Sequence, residues 1–403
     1  MKAPKFFIPS LRQAILAVYA TFRKELSAIF RDQGVIVFLL FVPLAYPLLY
    51  SFIYTGETVH EVPALVVDDA HSPLSREYLR KVDATAEVRI VGHCNDLAEA
   101  RQQLRRHAAY GIVYIPADFT SRLASGEQAQ VSIFCDMSGL LYYKALLMAN
   151  TAVSLDMNSD IKAERAGNTT QREDELTAYP IAHEEVSLYN PTAGFAAFLI
   201  PAVLMLILQQ TLLLGVGMRA GTLRETGAFV RPLPASGRSA NAPLLVTGMG
   251  LGYLAVFVLV AVYVLGVIPK LFSLNQIGNA RDIAALALPY LLACIFFAMT
   301  CTAFTRNRES CMLLFVFMSV PLLFLSGISW PGSAIPPFWK TLSYVFPSTF
   351  GINGFVKLNN MGATLREIRP ELHTLWIQSG VYFVTACTVY YRHLGRKPKP
   401  ADT

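Results

Sequence analysis

Six apolar runs, at 35–54, 192–218, 244–268, 283–304, 312–330 and 375–391, divide the chain. Each approaches or exceeds the roughly 20 residues that a helix needs to cross about 30 Å of hydrocarbon. Ahead of the first run, "LRQAILAVYATFRKELSAIFRD" (11–32) places Leu11, Ile15, Tyr19, Phe22, Leu26 and Ile29 at three- and four-residue steps, with Arg12, Arg23, Lys24 and Arg31 mainly off that stripe. This pattern predicts a basic amphipathic helix lying flat on the inner membrane face. More than thirty residues precede the first run, which is too long for a signal-peptide core and has no small-x-small site after it, so it predicts an uncleaved anchor.

The pattern changes between the first two runs. "VPALVVDD" (62–69), "EVRIVGHC" (87–94), "GIVYIP" (111–116) and "AQVSIFCD" (129–136) predict strands. "NDLAEARQQLRRHAAYG" (95–111) has a capping residue at Asn95 or Asp96 and a closing glycine, which predicts a helix. A long helix follows over 139–166, and the polar "NTTQREDELTA" predicts a mobile segment. Strand, helix, strand in that order predicts an α/β layer domain over 55–190.

Composition places this domain in a membrane protein. The 403 residues are 54% hydrophobic and 15% charged, against about a quarter charged for a soluble domain. Residues 55–190 hold 12 basic and 20 acidic side chains, net −8, which leaves +14 elsewhere. With the N-terminus inside, the inner segments carry sixteen Lys and Arg (six before the first run, then Arg219, Arg224, Arg231, Arg238, Arg306, Arg308 and four after the last), and the short outer loops carry six. Positive charge inside predicts cytoplasmic termini (residues 1–34 and 393–403) and an extracytoplasmic 55–190. Trp330, Trp339 and Trp376 fall at the predicted outer ends of the last two spans, where indoles gather.

Candidate chemistry is sparse. The runs are nearly free of ionisable residues, which disfavours an ion-driven carrier. Gln209 and Gln210 are the main polar exceptions, suited to cross-helix hydrogen bonds or to lining a path. Pro43, Pro47, Pro201, Pro289 and Pro321 lie within runs, where neighbours must satisfy the freed carbonyls. Gly248 and Gly252 form a small-xxx-small pair for packing within the chain or at a dimer contact. Asp68 and Asp69 end a strand, as a solvated terminus or a cation site. The six cysteines form no metal pattern; Cys94 and Cys135 are able to pair outside the cell, though their spacing does not demand it. No cluster of His, carboxylate or nucleophile suggests catalysis.

The order of these features resembles the permease subunits of type-2 ATP-binding-cassette (ABC-2) exporters, in the branch with a large domain after the first span. The amphipathic helix precedes span one. "YNPTAGFAAFLIPAVL" (189–204) is similar to that family's start of span two, and "RAGTLRETGAF" (219–229) to its coupling helix. "LFLSGISWPGSAIPPFWKTLSYVFPSTF" (323–350) resembles the stretch that forms a re-entrant hairpin before the last span.

The resemblance implies an α-helical polytopic protein: six transmembrane helices, five of them in 191–392, with a re-entrant segment at 331–355 and an inserted extracytoplasmic α/β domain. It implies an ATPase-coupling surface of Arg219, Leu223, Arg224 and Glu225 with Phe22 and Glu25. It implies a path or gate formed by Gln209, Gln210, Pro331, Pro336, Pro337 and Pro347. No G-x-x-x-x-G-K-[ST] motif occurs, so ATP and Mg are expected on a separate ABC ATPase subunit, with no cofactor, metal or nucleic acid on this chain. Other implied partners are a second permease copy or paralogue, the lipid bilayer, and a periplasmic adaptor with an outer-membrane channel. The expected site of action is the bacterial inner membrane, in efflux or multidrug export of an amphiphilic or hydrophobic substrate. A sensor or scaffold whose outer domain binds a ligand or partner is the alternative.

Overall fold

The computed structural model describes residues 11–54, 56, 58–167, 170–178, 188–190, 194–226, 238–305 and 307–393. The chain forms two compact units, a helical one from Met1–Thr55 with Leu188–Thr403 and an α/β one over Gly56–Ser187.

In the α/β unit, β1 (Val62–Asp68), β2 (Val88–His93), β3 (Gly111–Ile115) and β4 (Ser132–Cys135) stand in the order β2-β1-β3-β4. β1 pairs in parallel with β2 and β3, and β4 runs antiparallel to β3. Helices α3 (Pro73–Asp83) and α4 (Leu97–Arg105) make the parallel crossovers; α5 (Phe119–Ala124), α6 (Leu140–Ala166) and α7 (Gln171–Ala178) complete the unit. Ala64, Val66 and Val113 cluster with Leu79 and Val82 of α3 and Leu146 and Val153 of α6. Leu65, Val67 and Ile112 cluster with Ala100 of α4. β1 is thus covered on both faces, which is why it reads as an almost unbroken apolar run.

The predicted strands and the helices at 95–111 and 139–166 are present, the former shorter than expected. The segment expected to be mobile is in part helical: Thr170 accepts from the Glu173 N–H and Glu173 from the Thr170 N–H, a capping box that opens α7. Cys94 and Cys135 are free thiols that belong to different core clusters, so no disulfide joins them. Asp68 accepts from the backbone of Ala70 and His71 and from the Ser75 hydroxyl, and so shapes the turn into α3; Asp69 accepts from Tyr114.

The helical unit begins with α1 (Leu11–Ile29), then α2 (Gln33–Ile53). α8 spans Phe195–Glu225, and α9 runs over Arg238–Val262 and on through two short turns to Leu271. Then come α10 (Ala280–Cys301), α11 (Arg308–Leu325), α12 (Pro337–Ser343), α13 (Pro347–Met361) and α14 (Arg369–His393). Among the described residues, α2, α8, α9, α10 and α11 are long and apolar enough to cross a membrane. The sixth run, 375–391, is helical within α14, but that helix also carries Glu371, His373, Gln378 and Arg392 and falls short of the others in apolarity.

Two prolines leave a recognisable trace. α2 widens into a π-helical turn at Val37–Phe41 just before Pro43, and α9 does so at Tyr263–Val267 just before Pro269. Proline lacks the N–H and its ring crowds the preceding turn, so a wider turn accommodates it. The Tyr263 hydroxyl donates to the Leu44 carbonyl (3.1 Å) and ties these two helices together.

Candidate functional site

Among the described residues, two junctions of the helical unit bring the predicted polar side chains together with others. The first lies where α8 ends. α1 packs on α9 through Thr21 and Glu25, with the second half of its apolar stripe, Leu26 and Ile29, drawn into the core of the helical unit. Thr21, Glu25 and Ile29 are buried, while Leu11, Ile15 and Tyr19 stay exposed, as a lipid-facing stripe requires. Gly248 makes the approach possible: a Cβ there would lie 2.6 Å from Thr21 Cβ. Gly252 lies one turn on, opposite the Glu25 side chain. The small-xxx-small pair is therefore occupied by α1 of the same chain.

Glu25 is 5% exposed. Its Oε1 accepts from Arg219 Nε (3.1 Å) and from the Tyr253 hydroxyl (2.7 Å), which joins α1, α8 and α9. A buried carboxylate persists only with such partners. Beside it, Asp32 caps α2 by accepting from the Gly34 N–H, and its other oxygen accepts from Arg308 Nη2 (2.8 Å) and the Thr222 hydroxyl (2.8 Å).

The last turn of α8 grips the connection between α10 and α11. Arg224 donates to the carbonyls of Thr302 and Thr305, beyond the end of α10. Glu225 accepts from the backbone N–H of Arg308 (3.0 Å), in the first turn of α11, where negative charge also suits the helix dipole. A Cβ on Gly221 would lie 2.9 Å from that same nitrogen, so the two helices close tightly here.

Arg219–Glu225 are the end of the 31-residue α8 and not a separate short helix; 227–229, Pro232 and Pro234 lie outside the described residues. Leu223 packs against the core of the helical unit, and Phe22 is half-buried beside Tyr19.

The second junction lies along the other half of α8. Gln209 Oε1 accepts from the Ser348 N–H (2.7 Å) and its Nε2 donates to the Ser348 hydroxyl (3.1 Å), so Gln209 caps the start of α13. Twelve residues along both helices, Asn360 Nδ2 donates to the Ala197 carbonyl (3.0 Å). That carbonyl lies four residues before Pro201, which has no N–H to offer it. α13 therefore runs antiparallel to α8 from Ala197 to Gln209, about 18 Å at 1.5 Å per residue. The α12–α13 turn reaches the middle of the longest span.

Backbone at that depth needs partners, and α14 supplies them. Gln378 Nε2 donates to the Tyr344 carbonyl (2.8 Å) and the Tyr382 hydroxyl to that of Val345. Near the other end of α13, Lys357 pairs with Glu371 of α14 at 2.6 Å.

The predicted gate residues separate. Pro337 and Pro347 open α12 and α13 at positions where a missing N–H costs nothing. Pro336 precedes α12, and Pro331 is exposed in the turn after α11. Trp330 lies in that same turn, because α11 stops at Leu325. Gln209 serves the fold. Gln210 is 8% exposed, and neither end of its amide has a hydrogen-bond partner among the described residues. Asn360 and Gln378 were missed by sequence reasoning; for Gln378 the available signal was an amide inside the sixth apolar run, and for Asn360 there was none.

The profile of the family described as "ABC-2 family transporter protein" matches residues 34–388, and the chain belongs to that family. It is 20% identical over 367 residues to "ABC transporter G family member 20" of Dictyostelium discoideum, covering 88% of this chain and 48% of that protein. The chain spans about half the length of that relative.

Proposed function

We propose that this chain is the permease subunit of an ATP-driven exporter, powered by a separate ABC ATPase and paired with a second permease copy or paralogue. In this reading the protein sits in the bacterial inner membrane with α14 as a sixth span, both termini cytoplasmic and the α/β unit periplasmic. The cargo is amphiphilic or hydrophobic, because the spans offer mainly apolar walls.

The observation that carries the proposal is the grip of Arg224 and Glu225 on the α10–α11 connection. Force applied near the end of α8 then reaches α10 and α11 directly, and α1 through Arg219 and Glu25. In this reading the junction is where the work of the ATPase enters the spans, which requires that it have a second arrangement. Gln210 supports a path beside α8: an unmade buried hydrogen bond costs about 1–3 kcal/mol, which a polar group on a passing substrate offsets.

The test uses inverted membrane vesicles containing the full chain and its ATPase. The reading expects accumulation of a lipophilic fluorescent dye that stops when ATP is replaced by ADP. Accumulation driven by a proton gradient alone, or no ATP-hydrolysing polypeptide co-purifying with the chain, would contradict it.

A further inference from the structure

Helix α6 of the α/β unit is apolar on two sides. One side, with Leu146, Ala149 and Val153, closes over the sheet. The other carries Leu140, Leu147, Met148 and Leu155, which are 71%, 41%, 53% and 52% exposed. Their helical spacing sets them on one face, over about 22 Å of the helix. Lys144 and Thr151 are the polar members of that face, and both are exposed. One apolar face suffices to cover a sheet; a second one marks a surface that meets something else.

Two features of that face say what covers it. The first is its spacing. The four apolar side chains stand seven, one and seven residues apart, so the pattern reads the same in both directions along the helix. Lay a second α6 antiparallel across it, with a two-fold axis between Leu147 and Met148. Leu140 then faces the partner's Leu155, and Leu147 faces the partner's Met148. Such a surface is its own complement, as an isologous contact requires. The second feature is charge. In the antiparallel arrangement Lys144 faces the partner's Thr151. Lys162, exposed beyond Leu155, comes to the end where Asp136 precedes the helix. A parallel pair would instead set each lysine against its own copy, which is repulsive.

We propose that the exposed face of α6 is a contact between the α/β units of two copies of this chain, made by antiparallel crossing of their α6 helices. The proposal rests on the pairing of two permease copies given above. Residues 55–190 hold 12 basic against 20 acidic side chains, so free units repel one another. Two paired permeases tether their units, and the high effective concentration lets a small apolar contact form.

The experiment uses the full chain in lipid nanodiscs wide enough for two copies. Two differently tagged versions are co-expressed, one with Leu140→Cys and one with Leu155→Cys, and oxidised with copper phenanthroline. The expected result is a disulfide joining the two tags, above the background of the unaltered chain. Two copies that both carry Leu140→Cys should not join, because antiparallel helices hold those positions about 22 Å or more apart. Leu147→Glu, added to both chains, sets two carboxylates beside the two-fold axis and should lower the cross-link about tenfold. Met148→Glu gives the same direction should Leu147→Glu misfold. Particle mass separates this contact from the pairing it rests on. Two-copy particles without the 140–155 disulfide, with an equal 140–140 disulfide, or with a cross-link that both glutamates leave intact would overturn the α6 contact alone. Particles that hold one copy would overturn the pairing as well.

Discussion

At the end of α8 the polar side chains are mostly charged, and two carboxylates there answer arginines; along its other half most are neutral and answer the backbone. Glu25 meets Arg219, and Asp32 meets Arg308. Gln209, Asn360 and Gln378 instead bind backbone groups left open by helix ends or by a proline. The contrast separates two tasks. Charge pairs link side chains of different helices and exact a large penalty when one partner is lost. Amides that satisfy the backbone fix where a helix starts or how deep a turn sits.

The largest effect is expected at the charged junction. Glu25→Ala leaves the Arg219 guanidinium buried without its carboxylate and should cost about 3–5 kcal/mol, read as a shift in unfolding by sodium dodecyl sulfate in mixed micelles. Adding Arg219→Leu should recover most of that loss. A single variant as stable as wild type would erase the distinction between the two junctions.

At the neutral junction, Gln209→Leu should cost about 1–3 kcal/mol in the same titration, because the Ser348 N–H loses its acceptor. Asn360→Leu should behave similarly, with one sharper consequence. In a Pro201→Ala background the backbone regains an N–H for the Ala197 carbonyl, so the Asn360 effect should largely disappear. Additive effects would mean that Asn360 is not there to serve the proline.

The smallest change belongs to the α/β unit. Lys81 pairs with Asp156 and Asp160 at 2.7 and 3.0 Å. Hydrogen bonds to Asp156 and then Asp160 hold its pKa above the ordinary value. Its contribution is therefore present at neutral pH and is lost as pH rises past that raised value. Lys81→Met should cost only about 0.2–1 kcal/mol, since such a pair is well solvated; a larger loss of thermal stability would show that exposed pairs here act as buried ones do.

What the sequence revealed follows the same division. Apolar runs located the five most apolar helices and all four strands, because burial against lipid or a sheet core selects residue type directly. The stripe of α1 was legible, but only its first half, Leu11, Ile15 and Tyr19, stays exposed, while Leu26 and Ile29 pack into the core beside Thr21 and Glu25, whose burial carries no hydropathy signal. α3 was missed although Ser72 and Ser75 cap one another, and α7 although Thr170 and Glu173 spell out a capping box. Glu25 and Arg219 stand 194 residues apart, and nothing local to either names the other. The depth of the hairpin was hidden for the same reason, since it depends on Gln209 meeting Ser348.

The most direct test of the proposed drive is the substrate-stimulated ATP hydrolysis of the assembled complex with Glu225 altered. Glu225→Arg removes the acceptor of the Arg308 N–H and places like charges together. Stimulation should fall about tenfold or more, with the chain still inserted and the ATPase still bound. Glu225→Gln keeps an acceptor and should retain most of it. Full stimulation in Glu225→Arg would contradict the claim that the end of α8 transmits the work of ATP to the spans.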